Sequence, residues 1–180
     1  MKRSLAFFPL IILMAFALGC QDQQALAELE GLRALENVEE QNKVLIRDLI
    51  EKWNDRNTDA LKELYAPNAN YHHPSLGATP ISYEKASEMN EVFWQAFPDL
   101  TLTIEDLFAE GDKVAARFIG RGTHQGDLGE IPATQKMTEA SALQIFHIVD
   151  GKIVETWELS DTLGLMQQLG MELRSAAVEE

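Results

Sequence analysis

At Pro98 the chain changes period, and that change restricts its possible folds more than any other feature. Leu100, Leu102 and Ile104 alternate with Thr101, Thr103 and Glu105. Glu110-Gly111-Asp112 supplies a turn, and Val114, Ala116 and Phe118 alternate again. Two longer runs, Thr138–Val149 and Lys152–Asp161, flank Asp150-Gly151, a two-residue hairpin signal. Period-two alternation puts one set of side chains on a buried face and the other toward water. These strands follow one another with short turns, so they pair antiparallel and no βαβ unit fits between them.

Ahead of Pro98 the spacing is helical. Leu26, Leu29, Leu32, Leu35 and Val38, then Val44, Leu45, Leu49, Ile50 and Trp53, recur every three or four residues between Ala25 and Asn57. Gly31 and the polar stretch Glu39–Asn42 predict two helices, or one with a weak joint. The second, about Glu40–Asn54, belongs to the domain and the first acts as a spacer. A short helix over Thr58–Tyr65 opens on Thr58-Asp59 as cap residues and stops at Pro67. Asn68–Pro74 reads as extended and Tyr83–Ala96 as a third helix. A Gly-rich loop runs through Thr123–Gln135, Leu163–Leu169 makes a last helical turn, and 171–180 is a fraying, disordered tail. Helices first and sheet afterwards is an α+β order.

The first residues read as an address. Lys2 and Arg3 precede an apolar run, Leu5–Leu18, that ends at Gly19-Cys20. The run is too short for a comfortable membrane span. Ala17-Leu18-Gly19-Cys20 resembles the lipobox of bacterial lipoproteins, in which the Cys is acylated and becomes the new N-terminus. That resemblance implies a signal peptide over 1–19, a lipid on Cys20, a tether and spacer over 20–39, and residence at the cell envelope on the periplasmic side. A plain signal peptide or an uncleaved anchor are the alternatives.

Charge and cysteine count narrow the function. The 180 residues carry 15 basic and 29 acidic side chains, a formal charge of −14. From Cys20 onward the balance is 13 against 29, or −16. Such a chain is poorly suited to nucleic acid, which is bound by Lys and Arg neutralising phosphates. One Cys excludes an internal disulfide or a Cys-cluster zinc site. Four scattered His, with no pair at i,i+4, give no metal site, and no cofactor motif is present.

Further along, a series of motifs falls in order over about Asn42–Gly170. It comprises Trp53-Asn54, Tyr71-His72-His73-Pro74, Phe97-Pro98-Asp99-Leu100, Glu110-Gly111-Asp112-Lys113-Val114 and Arg121-Gly122-Thr123-His124. Ile131-Pro132-Ala133-Thr134-Gln135-Lys136 and Phe146–Glu155 follow, running into Trp157 and Asp161-Thr162-Leu163-Gly164-Leu165. In this series the chain resembles the SnoaL-like polyketide cyclase (ester cyclase) family. The resemblance implies an NTF2-like cone over 40–170: a curved antiparallel sheet packed against three N-terminal helices. Two positions depart from the family pattern. Gln135 stands where Gly is common, and Gln144 where a small acidic residue is frequent.

In the cyclases that the chain resembles, an aspartate at the end of the last strand acts as general acid/base, and Asp161 holds that position. Proton removal beside a carbonyl needs a base in an apolar cavity. Asp161 also has the type and place of a helix N-cap for the Leu163–Leu169 turn. His72, two before Pro74, is the second catalytic candidate, as a hydrogen-bond donor or proton relay; it would otherwise bond backbone at a strand end. His72 and His73 point to opposite faces, so only one can enter a cavity.

A strict two-residue turn would pair Val149 with Lys152, His147 with Val154 and Phe146 with Glu155. Phe146, Trp157, Leu159 and Asp161 would then share the concave face, with His147 opposite. Trp157, Phe146, Tyr71 and Trp53 are accordingly expected to contact substrate, with His124 at the cavity mouth. Arg117 and Arg121 share the outer face and pair with surface carboxylates. Glu139 and Glu155 either reach the cavity or sit at a solvated edge.

Two functions follow. In one, the cone is an enzyme for a small hydrophobic carbonyl compound, with cyclisation or isomerisation through Asp161 and His72. In the other it is a non-catalytic binding module or dimeric scaffold. The apolar character of Leu143, Ile145 and Val154 on the His147 side predicts a homodimer.

Overall fold

The computed structural model describes residues 8–172 and 174, and the side chains of 8–22 are outside that description. Residues 1–7 of the proposed address, the side chains of the rest of it and of Cys20, and most of the 171–180 tail therefore lie outside the described residues. The chain divides into two compact units, Met1–Val38 and Glu39–Glu180.

Helix α1 spans Phe8–Asn54, with no break at Gly31 or at the Glu39–Asn42 stretch. In the first unit, Leu26, Leu29, Leu32, Leu35 and Val38 are all exposed. Steps of three residues turn about 300° on an α-helix, so each apolar side chain lags the previous one by about 60°. Between Leu26 and Val38 they wind around the helix rather than forming one stripe. Among the described residues no helix is long and apolar enough to cross a membrane.

In the second unit α1 changes character. Ile46, Leu49 and Ile50 are buried and Trp53 packs beside them. Their i, i+3, i+4, i+7 spacing is a true core face. Asn54 pins this helix to the sheet by a reciprocal pair: its Nδ2 donates to the Leu102 carbonyl at 2.9 Å, and its Oδ1 accepts from the Leu102 N–H at 2.8 Å. Glu39 and Asn42 hold the Gly111 turn in the same two-way manner.

Helix α2 spans Thr58–Leu64 and is capped by Asn57, whose side chain accepts from Ala60 N. The cap thus lies one residue before the Thr58-Asp59 expected. Strand β1 (Tyr65–His72) begins earlier than predicted. A 3-10 turn (Pro74–Leu76) leads into the two-residue β2 (Ile81–Ser82), which carries no sequence signal of its own. Helix α3 (Tyr83–Ala96) falls where its period places it. Strands β3 (Thr101–Glu110), β4 (Lys113–Thr123), β5 (Met137–Val149) and β6 (Lys152–Ser160) precede α4 (Thr162–Leu169).

The six strands form one sheet in the order β2-β1-β6-β5-β4-β3. All neighbours are antiparallel except β1 and β6, which run parallel. The sheet is therefore mixed rather than wholly antiparallel, because β1 comes from the helical half and joins the edge of the later meander. Its inner face carries Val114, Ala116, Phe118, Phe146, Ile148 and Ile153 into the core formed with α1, Leu61 and Trp94.

The β5–β6 hairpin carries the main correction. Val149 pairs with Lys152 and Ile148 with Ile153, but His147 then pairs with Glu155 and Phe146 with Thr156. Val154 is an extra residue, a β-bulge, and every β6 residue beyond it is shifted by one. A shift of one reverses the face of each side chain. Thr156, Glu158 and Ser160 consequently share the inner side with Gln144 and Phe146. Trp157 and Leu159 share the outer side with Leu143, Ile145 and His147.

Candidate functional site

Between α1, α3, α4 and the inner face of the sheet lies a cavity of about 290 Å³. Its walls are apolar: Trp53, Leu61, Phe93, Phe97, Leu102 and Phe118 among others. One side is polar, contributed by Tyr71, His73, Gln144, Glu158, Ser160 and Asp161. Among the described residues no Lys or Arg lines it.

Trp53 is held in the wall by its Nε1–H donating to Asn90 Oδ1 at 3.1 Å and by a tilted contact with Trp94 at 5.3 Å between ring centres. Tyr71 reaches across from β1, and its hydroxyl donates to Glu158 Oε2 at 2.6 Å. Gln144 Nε2 donates to the same oxygen. Burial raises the Tyr71 phenol well above its ordinary range, and the Glu158 charge adds to that. Tyr65 and Tyr83 stack at 3.7 Å in the same cavity. Burial likewise raises Tyr65, and pushes Tyr83 up to about 12.

Asp161 lies at the exposed edge of the cavity and caps α4, its Oδ1 accepting from Gly164 N at 2.8 Å. Both positions expected for this residue are thus occupied at once. A Cβ at position 164 would fall on the Asp161 carboxylate, so the Gly in Asp161-Thr162-Leu163-Gly164 leaves room for the cap.

Of the histidines, the one facing the cavity is His73. Its Nε2 lies 2.9 Å from Ser160 Oγ, and its Nδ1 accepts from Ser75. His72 turns to the outer face, stacks on Trp157 at 5.3 Å and sits 2.7 Å from Glu155 Oε1. The two do point to opposite sides, but the inward one is the neighbour of the residue expected. Trp157 is outside for the same reason of register. Phe146 does face inward, yet it is fully buried in the core and does not line the cavity.

His124 is not at a mouth. It is fully buried, packs on Phe97 at 5.0 Å, and accepts the Thr134 N–H on Nδ1 at 3.2 Å, which ties the two ends of the loop together. Glu139 pairs with Arg121 and Asp106 with Arg117 on the outer face. Among the described residues no group of three or more His, Cys, Asp or Glu is gathered to hold a metal.

Glu158 is the residue that sequence reasoning missed. Strict alternation sends it outward, and only the Val154 bulge brings it in. Several motifs quoted for the resemblance prove to be staples of the scaffold. Asp99 takes the Thr123 N–H at 2.6 Å and the Thr123 hydroxyl at 2.8 Å, and these bonds hold its carboxyl below the usual range.

A mixed sheet closed by helices over an apolar cavity defines an NTF2-like α+β protein. The sequence profile of the family described as SnoaL-like polyketide cyclase matches residues 43–169, and the chain belongs to that family. It is 32% identical over 134 residues to aklanonic acid methyl ester cyclase DauD of Streptomyces sp. (strain C5), covering 70% of this chain and 80% of the relative. With DnrD of Streptomyces peucetius, of the same name, identity is 31%, covering 70% and 88%. Among solved structures, IdmH of Streptomyces antibioticus, a candidate polyketide cyclase, is 34% identical with a TM-score of 0.65 over 71% of this chain and 96% of its own. AclR of Streptomyces galilaeus, a candidate hydroxylase, is 25% identical with a TM-score of 0.69 over 78% and 87%.

Proposed function

We propose that this protein binds a small hydrophobic carbonyl compound in the cavity and moves a proton on it, in a cyclisation or isomerisation, with Asp161 as general acid/base. The observation that carries this reading is a carboxylate at the edge of an apolar cavity, at the position that the resemblance gives the catalytic aspartate. The relatives' names add a substrate type, a polyketide-like methyl ester. His73 takes the supporting place first given to His72, because it is the histidine on the cavity side.

Asp161→Asn separates the chemistry from the cap, since Asn caps a helix about as well as Asp. Small molecules that copurify with the mature protein are identified by mass spectrometry and returned to both forms. The expected result is turnover by the wild type alone at unchanged stability; turnover surviving in Asp161→Asn overturns catalysis by this group.

A second reading rests on the exposure of Asp161 and its commitment to Gly164. In it the cavity stores or carries a ligand without altering it, and the ligand is recovered unchanged with a raised melting temperature.

The setting is part of the proposal. Acylation of Cys20 would hold the domain at a bacterial envelope membrane, and Cys20→Ser is expected to move the protein to the soluble fraction. Leu143, Ile145 and Leu159, exposed together on the outer face, support a homodimer. Light scattering is expected to give a dimer for the wild type and a monomer for Ile145→Lys.

A further inference from the structure

The cavity holds a second carboxylate, and its surroundings are unusual for one. Glu158 receives two neutral hydrogen bonds, from the Tyr71 hydroxyl at 2.6 Å and from the Gln144 amide, and both arrive at Oε2. An ionised carboxylate offers about four acceptor positions over its two oxygens. The pair of donors therefore fixes the orientation of the group while leaving Oε1 to accept.

Gln144 is one of the two departures from the family pattern noted above. An acid at 144 would repel Glu158, whereas the amide present donates to it. Tyr71 is a lasting donor, because burial and the adjacent charge both oppose loss of its proton. Among the described residues no Lys or Arg lines the cavity to neutralise either Glu158 or Asp161. A partly desolvated carboxylate without a counter-ion favours an O–H or N–H donor and repels a like charge.

We propose that Glu158 is the ligand-anchoring carboxylate of the cavity and makes it select neutral ligands bearing an O–H donor, of enol or phenol type, over their ethers and over anions. The apolar body of such a ligand packs on Trp53, Phe93 and Phe118, and its hydroxyl donates to Glu158 Oε1. This inference rests on the reading of the cavity as a small-molecule site, but it does not depend on any reaction there.

The test uses three two-ring probes of one shape with the full-length protein in equilibrium dialysis: 2-naphthol, 2-methoxynaphthalene and 2-naphthoate. The wild type is expected to bind 2-naphthol on the order of tenfold more tightly than the ether, the effect of one hydrogen bond to a charged acceptor. The acid is expected to bind most weakly. Glu158→Gln is expected to bring 2-naphthol and its ether within about threefold of each other and to strengthen 2-naphthoate.

The wild-type comparison stands without any variant: equal binding of 2-naphthol and its ether overturns the inference and leaves the small-molecule reading intact. A preference that persists in Glu158→Gln overturns the assignment to this residue. Absence of binding by all three probes also overturns the inference, and the copurified ligand then decides the underlying reading separately.

Discussion

The protein has three tyrosines, Tyr65, Tyr71 and Tyr83, and all three line the cavity. Tyrosine ionisation is therefore a report on the cavity alone. Burial raises each phenol above its ordinary value, with Tyr83 pushed up to about 12 and the other two higher. An unfolded tyrosine ionises near pH ~10. Above that pH the unfolded chain binds fewer protons than the fold, so stability is intact below about pH 10 and falls as the pH rises toward the folded values.

At about pH 11 each tyrosine still protonated in the fold removes about 1.4 kcal/mol, so Tyr65 and Tyr71 together remove about 2.8 kcal/mol. Tyr83, pushed up only to about 12, adds slightly less. The assay is urea unfolding at a series of pH values from about 8 to about 11.5, on the wild type and Tyr71→Phe. The substitution also loses a hydrogen bond to a charged acceptor, about 1.5–3 kcal/mol at every pH, so the decisive quantity is the slope with pH. Tyr71→Phe is expected to lose about 1.4 kcal/mol less than the wild type between about pH 9 and about pH 11. Parallel profiles for the two proteins would refute the reasoning. So would tyrosinate absorbance that develops fully in the folded wild type with a midpoint near pH ~10.

Two substitutions and a pair of deletions probe the scaffold. Gln135 is held at a φ of +58°, and Gln135→Gly is expected to raise stability by about 1 kcal/mol, seen as a higher melting temperature. A Cβ at Gly126 would strike the Gln95 carbonyl and lie 3.3 Å from Ala96 Cα, both backbone, so Gly126→Ala is expected to cost about 1–3 kcal/mol in urea unfolding. Deleting Val154 removes the bulge while leaving residues on either side facing as they do now. It is expected to keep the fold, with Trp157 still accessible to a fluorescence quencher, whereas deleting Thr156 reverses four side chains and is expected to abolish folding.

What could be read in the sequence was what local physics decides. Helix α3 and the strands β3 to β6 are written in spacing, and the Asp150-Gly151 turn in residue type; Asp150 and Gly151 both adopt positive φ. The parallel pairing of β1 with β6 was not legible, since nothing in Tyr65–His72 names its partner. Nor was the continuity of α1, because polar residues at Glu39–Asn42 read as a joint although Glu39 and Asn42 spend their polarity on the Gly111 turn. The family position of Gln135 makes sense afterwards. A left-handed residue favours Gly, and this chain carries the strain instead.

The site was half legible, and the missing half has one cause. Trp53 and Tyr71 line the cavity from α1 and β1, and Asp161 reaches its edge from just past the end of β6, where the strand's alternation no longer applies. Trp157 and Glu158 exchange places because one unpaired residue, Val154, inverts the rest of β6 after it. A bulge leaves no mark in hydrophobic alternation when the shifted register is itself plausible, and here both are. Unbulged, β6 offers Trp157 and Leu159 to the cavity; bulged, it offers Glu158 and Ser160. The polar set wins because Tyr71, His73 and Gln144 already stand on that side with hydrogen bonds to give or take. The apolar set is left exposed on the outer face beside Leu143 and Ile145. One inserted residue thus gives the cavity its second acid and the outer face its apolar patch, so the two features cannot vary independently.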